Sequence, residues 1–124
     1  MATIKSYTDI NQSHKLAKIL PLESADMHSE AIEISGDMVF VVVCSLGDKT
    51  KSNYGSPVWS LSALLSILPD ELENNHFLTL EKEGKEYCCC YEDVDGNSFR
   101  HCFSDNPVDA CVAMIEKLNE LNLL

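Results

Sequence analysis

Asp105-Asn106-Pro107-Val108-Asp109-Ala110-Cys111-Val112-Ala113-Met114-Ile115-Glu116-Lys117-Leu118 reads as a helix with a defined start and one apolar face. Asn106 is a good N-cap, because its side-chain oxygen can accept from an orphaned backbone N–H. Pro107 suits the first helical position, where no N–H is needed, and Asp109 places a carboxylate in the first turn, where the helix dipole favours it. Val108, Cys111, Val112, Ile115, Leu118 and Leu121 recur at three- and four-residue spacing, while Asp109, Glu116, Lys117 and Glu120 fall on the wet side. At ~1.5–3 kcal/mol per buried aliphatic side chain, this stripe is worth about 10 kcal/mol before chain entropy is subtracted. The rest of the chain must supply an apolar surface to receive it.

Just upstream lie three strand-like runs, 76–82, 85–91 and 98–103, separated by turns near Glu83-Gly84 and Asp95-Gly96-Asn97. They read as an antiparallel meander. A turn at Glu83-Gly84 sets Leu80 opposite Tyr87 and Leu78 opposite Cys89, so Leu78, Leu80, Tyr87, Cys89 and Tyr91 share a face that should meet the helices. An odd-numbered loop after Val94 brings Phe99, His101 and Phe103 to the same face and sets Cys90 across from Cys102. Cys88, Cys90 and Cys102 then share the opposite face. This register keeps two phenylalanines off the surface and Arg100 out of the core.

Further upstream, Ser60 caps a helix over 61–68 whose Leu61, Leu64, Leu65 and Leu68 follow one face, with Trp59 packed at its entrance and Pro69 closing it. The stretch 47–57 lacks periodicity and reads as a surface loop. Residues 38–44 are apolar and largely β-branched, which suits a strand covered on both faces. Ala31-Ile32-Glu33-Ile34 alternates like a short strand, and Gly36-Asp37 can turn between the two. Thr8 or Ser6 caps a first helix over 9–20, with Ile10, Leu16, Ala17, Ile19 and Leu20 apolar, and Pro21 ends it. The fold class is α+β: one domain over 1–124, an antiparallel sheet (a meander) with about three helices packed mainly on one face.

Nine Lys and Arg against 20 Asp and Glu give a formal net charge of −11 over 124 residues. Phosphate backbones and anionic lipid would be bound against that field, so neither nucleic acid nor membrane is expected as a direct partner. The acids are scattered along the chain and form no single block. The opening Met1-Ala2-Thr3-Ile4-Lys5-Ser6-Tyr7 has no long apolar core after its lysine, and the apolar run 38–46 is far below the ~20 residues of a membrane span. The setting is read as cytoplasmic. Six cysteines, three of them adjacent, without a secretion signal imply reduced thiols rather than a disulfide framework.

The cysteine run is the local feature closest to a site. In the odd-loop register Cys88, Cys90 and Cys102 share a face; with a two-residue loop, Cys88 and Cys90 share it with His101, and either set could offer zinc ligands. The geometry argues against it, because alternate residues on a flat strand lie two ~3.3 Å rises apart, whereas structural zinc sites use Cys-x-x-Cys turns. The thiols read more simply as small buried hydrophobes, and no metal or cofactor is expected. Cys102 beside His101 forms no acid–base pair, since strand neighbours point to opposite faces, and no catalytic residue is assigned. His14, His28, His76 and His101 show no metal spacing. The binding candidates are Tyr54 and Trp59, in and just after the unpatterned stretch, because long loops often carry function.

Pro57-Val58-Trp59-Ser60-Leu61-Ser62-Ala63-Leu64-Leu65-Ser66-Ile67-Leu68-Pro69 and Asp105-Asn106-Pro107-Val108-Asp109-Ala110-Cys111-Val112-Ala113-Met114-Ile115 resemble segments of a family of small uncharacterised proteins. These belong to gut bacteria of the Bacteroides type and their phages and mobile elements. Ser6-Tyr7-Thr8-Asp9-Ile10 through Leu20-Pro21-Leu22-Glu23-Ser24-Ala25-Asp26-Met27 resembles the same family's opening, and the middle of the chain, about 32–51, matches least. The resemblance implies an accessory protein and carries over no site residue. The sequence thus reads as an interaction module with a protein partner rather than an enzyme. The alternatives are a small-molecule or nucleotide-binding protein or hydrolase with a pocket between sheet and helices, and an acidic decoy of a nucleic-acid-binding protein.

Overall fold

In the computed structural model the Asn106 side chain accepts from the Asp109 backbone N–H at 2.8 Å, and Pro107 opens the last helix at N1. The structure describes residues 5–73 and 75–124, apart from the side chain of Phe99. The reading of Met1-Ala2-Thr3-Ile4 as free of a leader falls outside them. Three helices, α1 (Ile10–Leu16), α2 (Leu61–Ile67) and α3 (Pro107–Glu120), accompany two antiparallel sheets in an α+β fold. One sheet has the order β2-β1-β3, from Met27–Ile34 (β1), Asp37–Val43 (β2) and Tyr54–Val58 (β3). The other has the order β4-β5-β6-β7, from Glu71–Leu72, His76–Glu83, Glu86–Glu92 and Ser98–Ser104. The described residues group into two compact units, Tyr7–Ala63 and Leu64–Leu124, the second including Lys5 and Ser6.

In the unit that contains α3, this helix packs on β6 and β7. Val108, Cys111, Ile115 and Leu118 of the expected stripe are fully buried, and so are Ala110 and Met114, which widens the apolar face beyond it. Leu121 is 42% exposed and serves as the C-cap instead. At the start of α3, Lys Nζ of residue Lys5 meets the Asp109 carboxylate at 2.7 Å.

The meander forms, with two corrections of register. Glu83 pairs with Glu86, so Gly84 and Lys85 make the first turn, one residue later than expected, with Gly84 at φ 61°. Leu80 therefore faces Cys89 and Leu78 faces Tyr91. The partners move but the shared face does not, because the displacement is even. In the second hairpin Tyr91 pairs with Phe99 near the loop, but beyond a bulge Cys89 pairs with Cys102 and Cys88 with Phe103. Arg100 sits at this irregularity with φ 63°, a left-handed conformation uncommon for a side-chain-bearing residue. A bulge inserts one residue and reverses the alternation past it. Cys102 thus leaves the face of Cys88 and Cys90, Phe103 is 52% exposed, and His101 is exposed, where the unbulged register had turned both aromatic rings to the helices.

In the other unit the cap of α1 is Asp9, not Thr8 or Ser6. Its carboxylate accepts from the Gln12 N–H at 2.8 Å while the Gln12 side chain accepts from the Asp9 N–H, a reciprocal capping box. Thr8 is buried, its hydroxyl bonded to that of Ser13 and accepting from the Trp59 N–H at 3.1 Å. The helix ends at Leu16, short of Leu20, and Ile10 is exposed. Ser35 and Gly36, at φ 52° and 87°, make the β1–β2 turn, one residue earlier than Gly36-Asp37 and in the pattern a right-twisted hairpin favours. The stretch expected as a loop contributes β3, paired with β1. Pairing accounts for the strand although its sequence holds Gly55 and Pro57, because β3 lies at a sheet edge where a missing donor is tolerated.

Candidate functional site

The sequence-selected cysteines and histidine do not converge. Cys88 and Cys90 remain neighbours on one face of β6, both buried, and burial together with the adjacent Cys90 thiol pushes the Cys88 thiol up to about 12. Cys90 Sγ lies 3.0 Å from the Thr79 hydroxyl. Cys102, on the other face, approaches Cys89 and Cys111, while His101 stacks on Phe103 with ring centroids 5.9 Å apart. The Cys89–Cys111 thiol contact draws the two groups apart, Cys89 upward and Cys111 downward. Burial acts upward on both, against the lowering that Cys89 imposes on Cys111. Among the described residues no three His, Cys, Asp or Glu side chains are disposed to hold a metal ion. Purified protein should accordingly carry far less than one zinc per chain, and a chelator should leave its melting temperature unmoved. Stoichiometric zinc lost together with the fold would contradict this geometry.

Trp59 is fully buried, with its indole N–H donating to Ser24 Oγ at 3.0 Å, so it is a core residue and offers nothing to a ligand. Tyr54 is half-buried and stacks on His28 at 5.4 Å, nearly parallel. His28 is buried, its Nδ1 2.6 Å from the Ser45 carbonyl oxygen and its Nε2 2.8 Å from the Glu30 carboxylate. Gly47, at φ 73°, comes so close to the imidazole that an added Cβ would lie 2.6 Å from three ring atoms. A side chain there would clash and strain the backbone together.

The carbonyl of Ser45 and the carboxylate of Glu30 both hold the His28 pKa above its ordinary value, against the effect of burial. A raised pKa means that the folded unit binds the proton more tightly than the unfolded chain. The stabilisation is therefore fully present below the unfolded value of about 6.5 and is lost as pH rises through the higher folded value. A melting temperature that falls across that window, and falls less in His28→Gln, is the expected result. An NMR titration placing the His28 pKa below the ordinary value would contradict the sign.

The feature without a structural explanation is strand β2. It was expected to be covered on both faces, yet it lies at the edge of its sheet, with Met38 66%, Phe40 57% and Val39 37% exposed and Ile34 of β1 at 52%. The other edges carry devices that discourage pairing. Along β3, Pro57 removes a donor and α1 packs against the strand. The second sheet ends on β4, only two residues long, and on the bulged β7. By contrast β2 has seven residues in unbroken register, no proline, no glycine and one charge, Asp37, at its end. A terminal strand presents a row of backbone N–H and C=O groups outward, and here apolar side chains flank that row on both faces. This run is the most apolar in the chain, and its composition alone points to a strand buried on both faces. Comparison of the chain with family models, curated proteins and solved structures finds no match.

Proposed function

We propose that the chain is a small interaction protein that works by strand addition at β2, and that the strand it accepts is β2 of a second copy. The observation that carries this reading is the exposure of apolar side chains on both faces of one unguarded edge. A helix or a flat surface would cover one face and leave the other wet; a strand continued in the sheet gives both faces cross-strand neighbours. The sequence Asp37-Met38-Val39-Phe40-Val41-Val42-Val43 suits self-pairing. Antiparallel about Phe40, it sets Phe40 against Phe40, Val39 against Val41, Met38 against Val42, and Asp37 against Val43, so no like charges face each other. The net charge of −11 opposes association in general, but carboxylates more than about 8 Å apart are screened at physiological ionic strength.

The setting is proposed to be cytoplasmic, which six free thiols, four of them buried, support. Among the described residues no helix is long and apolar enough to cross a membrane. The resemblance to small proteins of Bacteroides-type bacteria and their mobile elements supports an accessory role rather than an enzymatic one. Sedimentation velocity tests the proposal. The wild-type chain should shift from monomer to dimer with concentration, and Phe40→Lys, which sets two ammonium groups against each other, should raise the dissociation constant at least about tenfold. Unchanged Trp59 emission would establish that the variant is folded. A wild-type monomer at every concentration, or a dimer indifferent to Phe40→Lys, would overturn it.

A further inference from the structure

We propose that a cleft on the β3 side of the Tyr7–Ala63 unit is a binding site for a small organic phosphate, separate from the β2 edge. The cleft, about 620 Å³, lies between α1 with the turn after it and strand β3, with Lys49 from the intervening loop at its wall. Its size falls within the range of small-molecule sites. The chain holds 20 acids against 9 Lys and Arg, so a random patch of surface would carry about two carboxylates for each cation. The lining reverses that balance: Lys18 and Lys49 are present, beside the imidazole of His14, and no Asp or Glu is.

The cations are available. Among the described residues neither the Lys18 nor the Lys49 ammonium pairs with a carboxylate. Asp48, next to Lys49, is engaged by Thr50, whose N–H and hydroxyl donate to its carboxylate at 2.9 and 2.6 Å. Two lysines are compact point charges suited to a phosphate. A second, independent feature is Tyr54, a lining residue whose phenolic oxygen is buried and has no hydrogen-bond partner among the described residues. Buried hydroxyls are nearly always partnered, so this one, on a residue that lines the cleft, is a donor in want of an acceptor. Leu20, Leu22 and Pro57 supply apolar wall, and the volume exceeds what a bare phosphate fills, which favours a phosphate carried on an organic body. The overall negative charge slows the approach of such a ligand but is screened within about 8 Å, so local cations decide binding.

The test is a ¹H–¹⁵N NMR titration of the whole chain with AMP, inorganic phosphate and adenosine. AMP should shift the amides of residues 54–56 and of Lys18 and Lys49 in saturable fashion, inorganic phosphate should shift the same amides more weakly, and adenosine should leave them in place. Lys18→Glu combined with Lys49→Glu should weaken AMP binding at least about tenfold, and Tyr54→Phe several-fold, the unshifted remainder of the spectrum reporting an intact fold. Three results would each overturn the proposal: no shift with AMP up to about 10 mM, equal binding of adenosine and AMP, or AMP binding unaffected by the double charge reversal. Because the site uses β3 and α1 and not β2, its failure and failure of the strand-addition reading are distinguishable by the same spectra.

Discussion

Ile115→Ala is expected to lower the unfolding free energy of the Leu64–Leu124 unit by about 3 kcal/mol, within the ~2–5 kcal/mol typical of such truncations. Ile115 lies midway along α3, which packs on β6 and β7, and none of its surface reaches water. Val108, Cys111, Met114 and Leu118 on the same helix are also fully buried, so the face is held on either side and has little freedom to close over a missing side chain. The cost is then the lost transfer energy plus the cavity left behind. Urea unfolding followed by circular dichroism reads it. A loss below about 0.5 kcal/mol would place the stripe of α3 on the wrong side.

A loss of similar or greater size, about 3–5 kcal/mol, is expected for Trp59→Ala in the other unit. Trp59 is the only tryptophan and is fully buried. Its backbone ties two segments together, accepting from the Thr8 N–H at 2.9 Å and donating to the Thr8 hydroxyl at 3.1 Å. Its indole N–H is held by Ser24 Oγ, which in turn donates to the Pro21 carbonyl at 2.6 Å. Truncation opens a large cavity and leaves the Ser24 oxygen without its indole donor, while the backbone bonds remain. A variant that melts within about 1 kcal/mol of the wild type would mean that the indole is a surface group after all, and would return it to consideration as a binding residue.

The starts of α2 and α3 were legible because their signals are local, whereas the first helix proved shorter than its apolar residues suggested and is capped by Asp9. Asn106 and Pro107 fix the start of α3 whatever surrounds it, and Ser60 does the same for α2, its Oγ accepting from the Ala63 N–H at 3.2 Å. Face membership in the first meander hairpin was legible because a turn shifted by one residue changes partners without changing parity. The second hairpin was not, because the bulge at Arg100 inserts a residue without a glycine to announce it, and everything beyond it changes face. Strand β3 was hidden by Gly55 and Pro57, residues that read as loop unless an edge position is known. Of the candidate site residues, Tyr54 lines a cleft and Trp59 is core. The groups beside Tyr54 come from separate stretches, His14 in α1, Lys18 just after it and Lys49 in a loop, and no spacing rule connects them. The β-branched run of β2 was visible but ambiguous: a strand sandwiched between layers and a strand waiting for a partner have the same composition.

That ambiguity makes backbone amide exchange along β2 the most direct measurement. If β2 joins β2 of a second copy, the outward-pointing amides of Asp37–Val43 should be protected at high protein concentration and exchange faster on dilution, with amides of β1 unchanged. Protection of these outward amides that does not vary with concentration, or its absence at any concentration, would contradict strand addition between copies.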